Sequence, residues 1–295
     1  MNEDRSYIKG VILILISAFS FALMALFVRL SGDVPFIQKT FFRNSIAFVI
    51  ALVTILYGIA KNGAENYKIP KESWPFLFLR SMAGTVGVFG NFYAVDHLIL
   101  SDASILNKMA PFYTVLFCLL LLKEKIKPFP LTAIFVAFGG ALLVAKPSLD
   151  FSKTLPSLAG VAGGLGAGFA YACVRKLGLQ KCNGSVVVLF FSTFSTLIAT
   201  PYMIFHFSPM TGFQTLCLIM AGLSAAVGQF TITAAYFHAP ASKISIFDFC
   251  QVIFSATLGF IFFAQKPDIL SLAGYIIIIS MAVLNFIYNN RKNKD

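Results

Sequence analysis

Three basic side chains lie inside long apolar runs of the sequence. Arg43 and Arg80 are each about two helical turns from the nearer end of a run, and Lys108 is just over one turn into another. An ionised side chain inside a bilayer costs roughly 2.5–3.5 kcal/mol on insertion scales, so such residues usually have a role. Guanidinium groups bind carboxylate or phosphate through paired hydrogen bonds, and an ammonium acts as a point charge. The pattern favours an anion-binding site. The alternative is that these long side chains snorkel to the headgroups.

Few other polar groups in the apolar runs could complete such a site. Asp248 is the clear intramembrane acid, and two roles are open for it: it carries a coupling proton, or it neutralises a basic residue on another helix. Neutral hydrogen-bonding residues lie in the same runs, where contacts between helices would explain them equally well. The predicted substrate-binding residues are Arg43, Arg80, Asn91, Asn107, Lys108, Gln229, Tyr236 and Asp248.

The composition is that of an integral membrane protein. Of the 295 residues, 58% are hydrophobic and only 12% are charged, about half the charged share of a soluble domain. The formal charge of +11 does not indicate nucleic-acid binding, because the cations mostly occupy short links between apolar runs. The five cysteines show no CxxC or CxxH spacing, so the sequence predicts neither disulfides nor a metal site. No phosphate-binding loop, HExxH or GxSxG motif occurs, so we expect no cofactor and no catalytic site.

Ten apolar stretches are long enough to be membrane-spanning helices, and the sequence therefore predicts an all-α fold. The fourth contains Pro111, which removes a helical hydrogen bond and predicts a kink beside Lys108. The predicted helices cover approximately 10–30, 37–60, 74–95, 104–122, 130–146, 157–177, 185–206, 213–237, 242–264 and 269–289.

The distribution of basic residues predicts an orientation. With the amino terminus in the cytoplasm, fifteen of the 23 Lys and Arg residues fall in cytoplasmic segments, five fall on the opposite side, and three lie within spans. Both termini are therefore predicted to be cytoplasmic. Together with the short loops, this favours a multi-pass protein of the cytoplasmic membrane.

The chain divides into two similar halves, residues 1–150 and 151–295. Each half would hold five spans, an odd number, so the second half must be inverted in the membrane, as in many transporters. Glycines recur at close spacing in the third and sixth spans, where they predict close helix packing within one chain or between two. Whether the protein forms a homodimer is left open. The recurring glycines are Gly84, Gly87, Gly90, Gly160, Gly163, Gly164, Gly166 and Gly168.

Several short motifs resemble those of the drug/metabolite transporter superfamily, in particular its EamA-type branch. The likeness extends over nearly the whole chain, and it implies two five-helix repeats with alternating access to a central cavity. Gln265 departs from the pattern, since the family often has an acidic residue there. The stretches around Arg80, Asn91 and Ser101 look most like a subgroup of solute-carrier organic-anion transporters. The motifs are Asp102-Ala103-Ser104, Pro111, Lys123-Glu124-Lys125, Gly139-Gly140, Ala239-Pro240-Ala241-Ser242, Phe247-Asp248-Phe249, Gly259 and Pro267-Asp268.

The sequence thus predicts a secondary transporter that exports or exchanges a small organic metabolite. The cationic balance within the spans favours an anionic substrate over a cationic drug, with a proton or a counter-substrate as the coupling partner. A lipid flippase is the main alternative, because cationic cavities also suit phospholipid headgroups. An integral-membrane lipid-modifying enzyme is a weaker alternative, because it would need a nucleophile and a base that the sequence does not show.

Overall fold

The structure is a computed structural model that describes residues 2–98, 100–146, 154–264 and 266–291. All regular secondary structure in these residues is helical, which confirms the predicted all-α class. Short 3-10 turns occur at Glu65–Tyr67, Lys71–Ser73 and Ser245–Phe249. The α-helices are α1 (Asn2–Leu30), α2 (Phe36–Asn62), α3 (Trp74–His97), α4 (Leu100–Asn107), α5 (Ala110–Leu122), α6 (Pro128–Ala145), α7 (Thr154–Leu179), α8 (Gly184–Phe205), α9 (Gly212–His238), α10 (Ala241–Ile244), α11 (Cys250–Phe263) and α12 (Ile269–Arg291).

Nine helical segments in the described residues are long and apolar enough to cross a membrane. They are α1, α2, α6 to α9 and α12, together with the joined pairs α4–α5 and α10–α11. The predicted third span corresponds to α3, which has 24 residues but carries Arg80 and is less apolar. The number of ten spans therefore stays a prediction. Large apolar side chains such as Leu120, Ile204 and Ile276 point outward, as lipid contact requires.

Two of the predicted spans are interrupted in their N-terminal half. Lys108 and Met109 form a turn between α4 and α5, and Pro111 lies in the first turn of α5, where its missing N–H is tolerated. The predicted kink is therefore present. The second interruption was not predicted: the 3-10 turn Ser245–Phe249 separates α10 from α11 without a proline. As a result, one charged residue in each of these spans, Lys108 or Asp248, lies outside the α-helix.

The closest helix pairs join the first part of the chain to the second. α3 packs along α7 and α1 along α9, while α2 packs on α8 and α6 on α12. Glycine explains the α3–α7 contact: a methyl group at Gly163 would lie 2.8 Å from the backbone N of Asn91, and one at Gly166 would lie 2.6 Å from the carbonyl oxygen of Ala83. The backbones themselves are therefore in contact. The predicted boundary at residue 150 lies outside the described residues, so the two inverted repeats stay a prediction.

Polar contacts join the helices at both ends of the bundle. The start of α1 and the end of α12 lie together, since the rings of Tyr7 and Phe286 stack at 5.9 Å. We call this the terminal end. There, Arg175 Nε donates to Glu124 Oε1 at 2.7 Å, and both side chains are largely buried.

The contacts at the opposite end are more exposed. Lys39 Nζ lies 3.9 Å from Asp96 Oδ1, and Lys146 donates a hydrogen bond to Asp268, which lowers the pKa of that carboxyl. Arg29 lies over the ring of Phe263 at 4.3 Å. Gln265, where the sequence departs from the family pattern, lies outside the described residues.

Candidate functional site

A central cavity lies between the helices and is partly open; its empty space, open solvent included, is about 730 Å³. Seven of the eight predicted residues line it: Arg43, Arg80, Asn91, Asn107, Lys108, Gln229 and Asp248. The structure therefore brings together residues from α2, α3, α4, α9 and both interruptions.

The two interrupted spans meet at a buried ion pair. Lys108 Nζ donates to Asp248 Oδ2 at 3.0 Å, to the carbonyl oxygen of Asp248 at 3.3 Å and to Gln251 Oε1 at 2.6 Å. The Asp248 carbonyl belongs to the 3-10 turn and also accepts the backbone N–H of Cys250. Lys108 is only 7% exposed, so it does not snorkel to the membrane surface. Of the two roles left open for Asp248, the structure shows the pairing with a basic residue.

Arg80 is held by an aromatic ring and a glycine. Its guanidinium carbon lies 3.8 Å from the centre of the Phe191 ring, and the residue is 2% exposed. A methyl group at Gly84 would collide with Nη1 of Arg80 and with the Phe191 ring. Gly84 therefore provides the space in which the guanidinium lies. Arg80 Nε is buried and has no hydrogen-bond partner among the described residues.

Arg43 is positioned by its own neighbours on α2 and by α8. Its Nη1 donates to Asn44 Oδ1 at 2.8 Å, and Asn44 Nδ2 donates in turn to Ser195 Oγ at 2.8 Å. Its Nε contacts the sulfur of Met24 at 3.4 Å, a weak acceptor. The guanidinium lies 6.0 Å from the centre of the Phe191 ring. Both cavity arginines therefore lie near the same aromatic side chain.

The ionisable groups that line the cavity give it a positive balance. Three cations face a single carboxylate, and that carboxylate is bonded to Lys108. Among the described residues, no acidic side chain lies within 4.0 Å of either arginine. Gln229 Nε2 is also buried, and it has no hydrogen-bond partner in the part of the chain that the structure describes. Since donors left without an acceptor in a buried site are costly, the cavity suits a ligand rich in acceptor oxygens.

Tyr236 is the predicted residue that does not line the cavity. It lies behind Tyr171, which does, and the two rings stack at 5.4 Å. Its hydroxyl is 3.3 Å from Ser245 Oγ, and its carbonyl oxygen accepts a hydrogen bond from Arg175 Nη1 at 3.0 Å. Tyr236 therefore connects the cavity wall to the buried ion pair at the terminal end.

The lining residues that were not predicted as site residues include Tyr171, Phe191 and Gln251, which contact the predicted ones. Gln251 carries a recognisable signal, because it follows Asp248 by three residues, the spacing of one helical turn. Phe191 carries none, since the chain has 33 phenylalanines and most lie in apolar runs.

Comparisons with known proteins agree with this architecture. Residues 8–146 match the EamA-like transporter family. The pseudopaline exporter CntI of Pseudomonas aeruginosa is 30% identical over 274 residues, which cover 92% of this chain and 93% of that protein. This chain belongs to the EamA-like transporter family. An uncharacterized transporter of Helicobacter pylori is 25% identical over 93% of both chains. Human solute carrier family 35 member G1 is 27% identical over 93% of this chain and 78% of its own length.

Structural similarity extends over almost the whole EamA-type chain. A solved crystal structure superposes with a TM-score of 0.82, covering 96% of this chain and 98% of its own, at 16% sequence identity. At that identity the match shows the fold alone. Together with the family and the named relatives, the structure identifies a multi-pass membrane transporter of small solutes in the drug/metabolite transporter superfamily. The family consists of transporters, which rules out the enzyme alternative.

Proposed function

We propose that this chain is a secondary transporter that moves a small organic anion across the cytoplasmic membrane by alternating access. The observation that carries the proposal is the cavity between the two interrupted spans, in which Arg43 and Arg80 have no acidic partner among the described residues. Two uncompensated guanidinium groups inside a membrane protein are costly, and an anionic substrate would neutralise them.

The closed terminal end supports the alternating-access part of the proposal. Tyr171 lines the cavity, Tyr236 stacks on it, and Arg175 and Glu124 lie beyond Tyr236. We call these four residues the terminal gate. Opening it would break the Arg175–Glu124 pair and separate the end of α5 from α7 and α9. Such a change, paired with closure at the opposite end, is the movement that alternating access requires.

The proposal extends to the direction of transport and to its coupling. The relative named as a pseudopaline exporter supports export, with both termini on the cytoplasmic side. Proton coupling through Asp248 would require its bond to Lys108 to open, so exchange against a counter-substrate fits the observed pairing better.

Counterflow in proteoliposomes tests the proposal. Purified protein is reconstituted, loaded with one unlabelled solute at a time, and assayed for uptake of the same labelled solute. The panel is acetate, succinate, citrate, glucose 6-phosphate, alanine and tetraethylammonium. We expect saturable counterflow for at least one anion and none in protein-free vesicles.

Two results would contradict the proposal. Counterflow restricted to tetraethylammonium would assign a cationic substrate. Rapid movement of a fluorescent phospholipid between leaflets, without counterflow of any solute, would identify a lipid flippase.

A further inference from the structure

The structure distinguishes the three cavity cations by how many of their hydrogen-bond donors are already used. A lysine ammonium has three N–H donors, and Lys108 has three described acceptors: Asp248 Oδ2, the Asp248 carbonyl and Gln251 Oε1. Its charge is also neutralised by Asp248. Lys108 therefore has no donor left for a substrate while the two interrupted spans are joined.

The two arginines, in contrast, have hydrogen-bond donors that no described acceptor uses. Arg80 donates no described hydrogen bond, and its buried Nε is unpartnered. Arg43 uses Nη1 for Asn44 and Nε for the weak sulfur acceptor of Met24, which leaves several of its five N–H donors for another group. Each guanidinium can take a carboxylate through two parallel hydrogen bonds.

The separation of the two guanidinium groups is limited by their shared ring. Their central carbons lie 3.8 Å and 6.0 Å from the centre of the Phe191 ring, so they are within about 10 Å of each other. A substrate with one negative charge would leave one of them uncompensated. Two anionic groups joined by a short carbon chain would neutralise both.

We infer that the substrate of the proposed transporter carries two separate anionic groups, as a short dicarboxylate does, and that Arg43 and Arg80 each bind one of them. This inference rests on the proposed function, because it calls the bound anion a transport substrate. The contacts from which it is argued are those of the cavity alone. Lys108 and Asp248 hold the interrupted spans together instead of contacting the anion. Phe191 places both guanidinium groups, and Gly84 leaves room for that of Arg80.

Binding of a matched acid series to purified protein tests the inference. Isothermal titration with butyrate, succinate, glutarate and inorganic phosphate compares one carboxylate, two carboxylates at two spacings, and a compact anion. We expect succinate or glutarate to bind at least about tenfold more tightly than butyrate or phosphate, because only a dicarboxylate engages both arginines. Equal binding of butyrate and the dicarboxylates would overturn the inference.

Variants then assign the contacts. Arg43→Gln and Arg80→Gln should each raise the dicarboxylate Kd about tenfold or more, and Arg80→Lys should recover part of the loss because it restores charge without the paired geometry. Arg29→Gln is the matched control, since it removes a guanidinium that lies over a phenyl ring outside the cavity lining. Size-exclusion profiles confirm that each variant is folded.

A neutral double variant distinguishes the role of the ion-paired Lys108 from that of the two arginines. Lys108→Gln with Asp248→Asn removes both charges of the pair, and we expect its dicarboxylate Kd to rise less than that of either arginine variant. A loss as large as that of the arginine variants would overturn the assignment of the anion to the arginines.

Counterflow measurements distinguish failure of this inference from failure of the proposed function. Monocarboxylate counterflow that both arginine variants retain would refute the inference and leave a transporter. Tight dicarboxylate binding that depends on both arginines, without counterflow of any solute, would support the inference and refute the proposed function.

Discussion

At the scale of single residues, the buried ion pair between Lys108 and Asp248 determines how substitutions in the site change the stability of the protein. Removing one partner leaves a buried charge without compensation, which costs about 3–5 kcal/mol in soluble proteins, whereas removing both charges together costs much less. We therefore expect Lys108→Gln and Asp248→Asn each to lower the thermal unfolding midpoint strongly in detergent. The double variant should recover most of the loss.

The measurement is a double-mutant cycle on the free energy of unfolding. Gln251→Ala serves as a reference, because it removes a neutral acceptor of Lys108 and leaves the charges balanced. Additive losses from the two single variants would show that the two charges do not interact and would contradict the geometry.

Residue type alone indicated most of the charged and amide side chains of the cavity, because such side chains are expensive in a membrane and therefore conspicuous in an apolar run. It did not indicate which cation would take the single acid. That choice depends on how two distant spans meet: Lys108 and Asp248 are separated by 140 positions in the chain. Phe191 could not be chosen from sequence, because its contribution lies only in its position under Arg80.

The contact between α3 and α7 is the most demanding feature at the scale of helices. A methyl group at Gly163 would meet backbone atoms of Asn91 and Gly90, which cannot rotate away as a side chain can. We expect Gly163→Ala to lower the free energy of unfolding by about 1–3 kcal/mol through overpacking. Gly139→Ala on α6 is the matched control, since nothing lies within 4 Å of that position.

Thermal unfolding of the two variants side by side checks this prediction. We expect Gly139→Ala to leave the free energy of unfolding unchanged or to raise it by up to about 1 kcal/mol, because alanine has the higher helix propensity. Equal stability of Gly163→Ala and Gly139→Ala would mean that α3 and α7 are not in backbone contact.

Only one of the two helix interruptions had a signal in the sequence. Pro111 lacks a backbone donor and so marks the break between α4 and α5. Residues 245–249 contain no proline or glycine. They form a 3-10 turn that is buried against several neighbouring helices. Tertiary packing of this kind overrides local propensity and cannot be read from a single span.

The pairing of helices across the chain has a consequence for the whole molecule. The closely packed pairs α3–α7 and α1–α9 each contain one helix from residues 1–150 and one from residues 151–295. We expect the two halves, expressed together as separate chains, to assemble and co-purify through a tag on one of them. The first half expressed alone should be degraded, because its glycine face and Lys108 would have no partner.

Stability of the separate first half would contradict this expectation. A monodisperse, long-lived product from residues 1–150 would mean that its helices pack mainly with one another. Co-expression with a second half that carries Asp248→Asn is an internal control, since assembly should weaken when Lys108 loses its acid.

The all-helical, membrane-spanning character of the fold followed from the apolar runs, because the length and composition of a membrane helix are fixed by the bilayer. The distribution of Lys and Arg residues placed both termini on one side, and the structure shows α1 and α12 meeting there. The arrangement of helices around the cavity could not be predicted in the same way. It depends on close backbone contacts and buried pairs that form only between segments far apart in the chain.

The order of synthesis delays formation of the buried ion pair during biogenesis. A ribosome adds about 5–20 residues per second, so the 140 positions between Lys108 and Asp248 take on the order of 7–28 s to make. During that interval the ammonium of Lys108 has no Asp248 to pair with. Insertion of the first half is therefore the step at which the nascent chain most needs protection, from water at the insertion site or from a membrane chaperone.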